Sequence, residues 1–211
     1  MKYLYIDTSS SYLYTSIVED EKTLVEIKEE YGQTLSEVAL PKIVSMFEKI
    51  NIEPNNIDKI IVVNGPGSFT GIRIGVTIAK VYAWSLNIPI TTITSLEAMS
   101  VSSEEKKIHI PIINARRGYV FAAIYDEDYK EILKPQHIEL DKLQEKIKNI
   151  ENYEFITNDK FENLEKTTNY NPNIIKIVQK FKGKEEINPH MVNPEYLKLT
   201  EAEERKNDSR N

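Results

Sequence analysis

The sequence predicts an α/β protein, and three observations carry that prediction. A strand, a glycine-rich loop, an apolar helix and a second strand follow one another between residues 59 and 93. A β-rich meander precedes them, and a second set of strands and helices follows residue 108. Alternating elements of this kind build mixed or parallel sheets flanked by helices.

The elements can be justified in order. Residues 3–6 form a short apolar run that ends at Asp7-Thr8-Ser9-Ser10-Ser11, a turn-rich cluster. Residues 12–18 are β-rich and 23–27 alternate, which completes a three-stranded meander. Thr34-Leu35-Ser36-Glu37 matches a capping box, in which Thr34 accepts from the Glu37 N–H and Glu37 reaches back. Leu35, Ala39, Ile43, Phe47 and Ile50 then recur at helical spacing, with Pro41 expected to kink the helix. Lys59–Val63 is nearly all apolar, as suits a strand buried on both faces. Residues 72–86 read as a helix, 88–93 as a strand and 95–100 as a helical turn. Polar residues 101–107 mark a boundary, with one lobe at 1–103 and a second at 104–211.

In the second lobe, 109–114 and 119–125 read as antiparallel strands joined through Ala115-Arg116-Arg117-Gly118. A short strand at 131–133, a helix at 141–150, a strand at 153–157 and a helix at 174–181 follow. Both halves open with strands followed by a helix, as a distant duplication would, although the residues do not repeat. The tail after Thr200 is charged and expected to fray.

Composition narrows the function. Of 211 residues, 40% are hydrophobic and 28% charged, a balance that supports a packed core. The 33 acidic residues exceed the 27 basic ones, so the net charge of -6 argues against gripping nucleic acid without a partner. Cysteine is absent, which excludes disulfides, zinc–thiolate sites and cysteine nucleophiles. The N-terminus lacks a signal-like apolar core and no stretch approaches the roughly 18 apolar residues of a membrane span, so a cytoplasmic protein is expected.

The loop Gly65-Pro66-Gly67-Ser68-Phe69-Thr70-Gly71 is the most informative stretch. Glycines between a buried strand and a helix N-terminus suit an anion, to which Ser68, Thr70 and Arg73 add donors. Asp7, Thr8, Ser9, Gly65 and Gly67 complete a candidate nucleotide site. The loop nevertheless departs from the P-loop, from the dinucleotide fingerprint and from the esterase elbow. A tight structural turn explains its glycines as well as a phosphate does. Asp7 is read equally well as the cap of a hairpin turn. His109, His137 and His190 are too dispersed for a metal site, and Arg116-Arg117 reads as a solvated hairpin tip.

The helix behind the loop carries small residues every fourth position: Gly71, Gly75, Ala79 and Ala83. It is apolar nearly all round, and the helix from Leu35 shows the same excess at Leu40 and Val44. Such helices are covered on more than one side. Leu35, Leu40, Val44, Phe69, Ile72, Gly75, Val76, Ala79 and Ala83 are therefore candidate partner-binding residues. On this reading Gly75→Leu or Ala79→Glu breaks assembly and leaves a folded monomer.

Several stretches resemble a known family. They are Ile6-Asp7-Thr8-Ser9, the helix from Gln33, Val63-Asn64 with the glycine loop through Gly75, Ser95-Leu96-Glu97-Ala98, Asn114-Ala115-Arg116-Arg117-Gly118-Tyr119-Val120 and Pro194-Glu195-Tyr196-Leu197. In order and content they resemble the TsaB family of bacterial tRNA threonylcarbamoyladenosine biosynthesis proteins. The resemblance implies an actin-like ATPase (ribonuclease H-like) fold, with two related lobes of mixed sheets flanked by helices. It implies a non-catalytic subunit that activates the paralogue TsaD, which transfers threonylcarbamoyl to the adenosine beside the anticodon. The small ATPase TsaE joins the complex, tRNA is met only through it, and homodimers form through the same helices. No intrinsic cofactor or metal is implied, though ATP or ADP at an interface shared with TsaD is compatible. Two departures stand out. The metal-binding histidines of the catalytic paralogue are missing from Gln33-Thr34-Leu35-Ser36-Glu37, and Leu35 stands where the family often has histidine. The alternatives are a metallopeptidase-like hydrolase and a nucleotide-binding, kinase-like enzyme of the same fold.

Overall fold

The computed structural model describes residues 1–162 and 164–198. The charged tail after Thr200 lies outside the described residues.

The first sheet holds β1 (Lys2–Asp7), β2 (Tyr12–Glu19), β3 (Lys22–Glu30), β4 (Lys59–Val63) and β5 (Ile90–Ile93) in the order β3-β2-β1-β4-β5. The first three strands pair antiparallel, and β1, β4 and β5 run parallel. The second sheet repeats this plan. Its strands are β6 (Ile108–Asn114), β7 (Tyr119–Tyr125), β8 (Glu131–Glu139), β9 (Tyr153–Ile156) and β10 (Thr167–Thr168), in the order β10-β9-β6-β7-β8. Again a meander of three is extended by parallel strands on its first member. The two sheets thus share a topology that their residues do not advertise.

Five helices cover the sheets: α1 (Leu35–Ile50), α2 (Phe69–Leu86), α3 (Ser95–Ser102), α4 (Leu140–Ile147) and α5 (Ile174–Phe181). α1 and α2 pack on one face of the first sheet through Ile43, Met46, Phe47, Ile72, Val76 and Ala79. On its other face Ala98 and Val101 of α3 and Ile174, Ile177 and Val178 of α5 meet Tyr5, Ile61 and Val63. α3 also meets the second sheet through Leu96 and Met99, and so cements the two lobes. α4 lies on the second sheet. Chain order and lobe membership part company after β10, because α5 contacts β1 and β2 and Ile187 bridges to Ile90.

Several local expectations are corrected. The capping box at Thr34 does not form. Gly32–Thr34 is a 3-10 turn that runs into α1, so Thr34 already has helical backbone angles (φ -84, ψ -1) and its hydroxyl donates to the Tyr31 carbonyl at 2.9 Å. The box closes instead at Thr94 and Glu97, where Thr94 has an extended backbone. α1 continues without a break through Pro41. α2 begins three residues earlier than expected, at Phe69, because the Ser68 hydroxyl accepts from the Gly71 N–H and caps it. β8 extends to Glu139, with Pro135 tolerated on an edge strand.

Candidate functional site

The glycine loop is built against the turn after β1. Ser68 N–H donates to the Ser9 carbonyl at 2.7 Å, and the Thr8 hydroxyl donates to the Gly71 carbonyl at 2.7 Å. A Cβ on Gly67 would lie 2.2 Å from the Ser9 carbonyl oxygen, and Gly67 also holds a positive φ of 154. On the far side, the Ser95 N–H donates to the Gly65 carbonyl and the Ser95 hydroxyl to that of Pro66. The Ser68 N–H and hydroxyl are therefore engaged within the chain, which favours the structural-turn reading of the loop over the phosphate cradle.

Asp7 is 2% exposed. Its Oδ1 accepts from the Ser9 N–H at 2.8 Å, and the Tyr5 hydroxyl faces its Oδ2 at 3.4 Å. Burial pushes its carboxyl above the usual range, with the Ser9 and Tyr5 donors opposing. This is the turn-capping carboxylate. A cleft of about 1390 Å³ opens between the lobes, with Ser9, Gly67 and Thr70 on one wall and Asn114, Arg116 and Asp159 on the other. Of the candidate nucleotide residues, Ser9, Gly67, Ser68 and Thr70 line this cleft. Asp7, Thr8, Gly65 and Arg73 do not. Arg116, expected at a solvated tip, lines it; left-handed backbone at Arg116 and Arg117 turns the hairpin toward the opening.

The histidines stay apart. His109 is buried, with Nδ1 3.2 Å from the Ser100 hydroxyl, while His137 stacks on Tyr119 and His190 sits at the edge of the Trp84 ring. Among the described residues no three His, Asp or Glu side chains are placed to hold a metal.

The candidate partner-binding residues divide. Leu40, Val44 and Phe69 are about half exposed (51%, 48% and 56%). Leu35, Ile72, Gly75, Val76, Ala79 and Ala83 are buried within the chain. The small-residue stripe is thus corrected: it is how α2 lies on β1. A Cβ on Gly71 would sit 2.1 Å from the Thr8 carbonyl oxygen, and one on Gly75 would sit 2.3 Å from the Thr8 hydroxyl. Gly75→Leu and Ala79→Glu strike the core, and the expectation of a folded monomer is withdrawn.

The outward face belongs to other positions. Val81 and Trp84 are 56% and 62% exposed beside Leu40 and Val44 of α1. The segment after Pro189 runs along the flank of α2. Lys80 donates to the His190 and Val192 carbonyls, and Arg73 to the Tyr196 hydroxyl at 2.8 Å. Sequence reasoning placed Val81 and Trp84 on an over-apolar helix but not at the surface. The signal was available once the small stripe had been assigned to the sheet, because the opposite face then has to be these residues.

Comparison with known proteins follows this geometry. Residues 24–203 match the family model described as TsaD, tRNA N6-adenosine threonylcarbamoyltransferase. A Bacillus subtilis relative described as tRNA threonylcarbamoyladenosine biosynthesis protein TsaB is 37% identical over 126 residues, which is 59% of this chain and 55% of that protein. A TsaB of the same description from Buchnera aphidicola is 31% identical over 153 residues, covering 65% of this chain and 69% of its own length. The match thus spans little more than half of the Bacillus protein. The solved structure described as YeaZ from Pseudomonas aeruginosa superposes with a TM-score of 0.72 at 15% identity, over 92% of this chain and 100% of that one. The fold is the actin-like ATPase (ribonuclease H-like) class, with two mixed sheets flanked by helices. On the family model and the shared sequence, this chain belongs to the TsaB family.

Proposed function

We propose that this chain is a non-catalytic subunit of the tRNA threonylcarbamoyladenosine-forming complex in the cytoplasm. It binds the catalytic paralogue TsaD through the outward face of α1 and α2. The observation that carries the reading is that face: Leu40, Val44, Val81 and Trp84 stand in solvent on two adjacent helices. Clustered exposed apolar side chains mark interaction surfaces. The descriptions of the Bacillus and Buchnera relatives name the pathway.

Two further features support a subunit without chemistry of its own. The capping role of Asp7 leaves the cleft without the carboxylate that a kinase-like enzyme would use for magnesium. The dispersed histidines offer no ligand set for a metallopeptidase. The net charge of -6 favours meeting tRNA through the complex. TsaE joins that assembly, and any ATP or ADP sits at the interface with TsaD.

Reconstituted modification of tRNA tests the proposal. TsaD with TsaE should form the modified base only when this chain is added. Full activity without it overturns the reading. Calorimetry with ATP should give no binding to the isolated chain, and a stoichiometric metal in the purified protein would favour the hydrolase.

A further inference from the structure

Arg73 is a cation that the chain leaves unused. α2 carries two charged residues, and Lys80 is spent on the carbonyls of His190 and Val192. The Arg73 guanidinium lies 3.6 Å over the Phe69 ring, and its Nε donates to the Tyr196 hydroxyl at 2.8 Å. Among the described residues no acidic side chain pairs with it, and its other N–H donors have no partner. Its side chain leans toward the positive end of its own helix, where an anion is favoured over a cation. A guanidinium stacked on a ring and anchored at Nε presents a fixed fork, the geometry that receives a carboxylate through two hydrogen bonds.

The same face carries an unused anion. Glu37, in the first turn of α1, is exposed and has no ion pair among the described residues. α1 and α2 run side by side in the same sense. Leu35 and Ala39 cluster with Ile74 and Ile78 at one end, and Phe47 stacks on Tyr82 toward the other. Arg73 and Glu37 therefore stand at the same end of the face, on different helices.

This arrangement is self-complementary under one kind of two-fold axis. An axis lying along the helix pair sets α2 of one copy on α1 of another at the same height. Arg73 then faces Glu37 of the second copy, twice, with Val81 near Val44 between the two charged contacts. An axis running across the helices sets α2 on α2, which brings Arg73 to the Trp84 end, where α2 has no acid. From this we infer that the α1–α2 face also takes a second copy of this chain, with Arg73 of each copy receiving the Glu37 carboxylate of the other. The inference rests on the reading of this face as a docking surface, and it makes self-association and TsaD binding mutually exclusive.

Sedimentation equilibrium of the full chain tests it. Arg73→Glu and Glu37→Arg should each weaken self-association at least about tenfold, since each places like charges in contact. The double reversal should return to within about threefold of the unmodified chain, because the pair is coupled. Glu48→Arg, at the far end of α1, should change little. A strictly monomeric unmodified chain, single reversals without effect, or a double reversal as weak as the singles overturns the inference. Leu40→Glu separates the two levels. If it leaves both self-association and TsaD binding intact, the docking face itself is wrong. If it abolishes both while Arg73→Glu changes nothing, only the charge pairing fails.

Discussion

Gly75→Ala is the sharpest probe of how α2 is seated. In an exposed helix this substitution stabilises by about 1 kcal/mol, because alanine restricts the unfolded chain and favours the helix. Here the new methyl would lie 2.3 Å from the Thr8 hydroxyl and 3.5 Å from Ile6. The hydroxyl has to rotate away, which breaks its bond to the Gly71 carbonyl inside a residue that is fully buried. Stranding a buried hydroxyl and carbonyl costs about 1–3 kcal/mol, and overpacking adds about 1–3 kcal/mol. Set against the helical gain, the net expectation is a loss of about 1–4 kcal/mol. Thr8→Ala should remove most of the clash, so a double-mutant cycle by urea denaturation should show a coupling of about 1–3 kcal/mol. A Gly75→Ala protein stabilised by about 1 kcal/mol with Thr8 intact would refute the seating of the small stripe on β1.

Other outcomes follow from the buried carboxylates. The folded carboxyl of Asp7 titrates above its unfolded value of 3.8, so between the two the folded state holds a proton that the unfolded chain has released. Stability from this group therefore falls as pH rises through that window. Asp7→Asn keeps an acceptor for the Ser9 N–H and removes the penalty. It should be at least as stable as the unmodified chain at pH 7, with the advantage fading toward pH 3.8, and a clear loss of stability at pH 7 in denaturant titrations contradicts this. Glu154 is 2% exposed and accepts from the hydroxyls of Ser103 and Thr168, which begin the two chain crossings between lobes. Glu154→Leu should cost about 2–4 kcal/mol in thermal denaturation, and Glu154→Gln, which keeps an acceptor, about half as much.

Elements were legible where periodicity is one-sided. β4 reads as buried because all five residues are apolar or, as at Lys59, buried with a fixed partner: its Nζ donates to the Lys182 and Lys184 carbonyls. α5 was placed to the residue because its apolar stripe faces one way. α2 was located but not oriented, since a helix apolar all round carries no phase. Its glycines recorded the close approach of the Thr8 backbone, a contact 63 residues away in the chain that spacing alone does not reveal. The Thr-x-x-Glu pattern occurs at both Thr34 and Thr94, and only the backbone entering each helix decides which one closes. The cleft role of Arg116 depends on the facing lobe, and a hairpin sequence does not record that.

The central claim is that the outward face of α1 and α2, rather than the glycine loop, does the chain's work by docking TsaD. Calorimetric titration of TsaD with the Leu40→Glu/Val81→Glu protein tests it most directly, because both side chains stand in solvent and the isolated chain should keep its fold. The account predicts unchanged circular dichroism and melting with complex formation lost. Binding equal to that of the unmodified chain would contradict it.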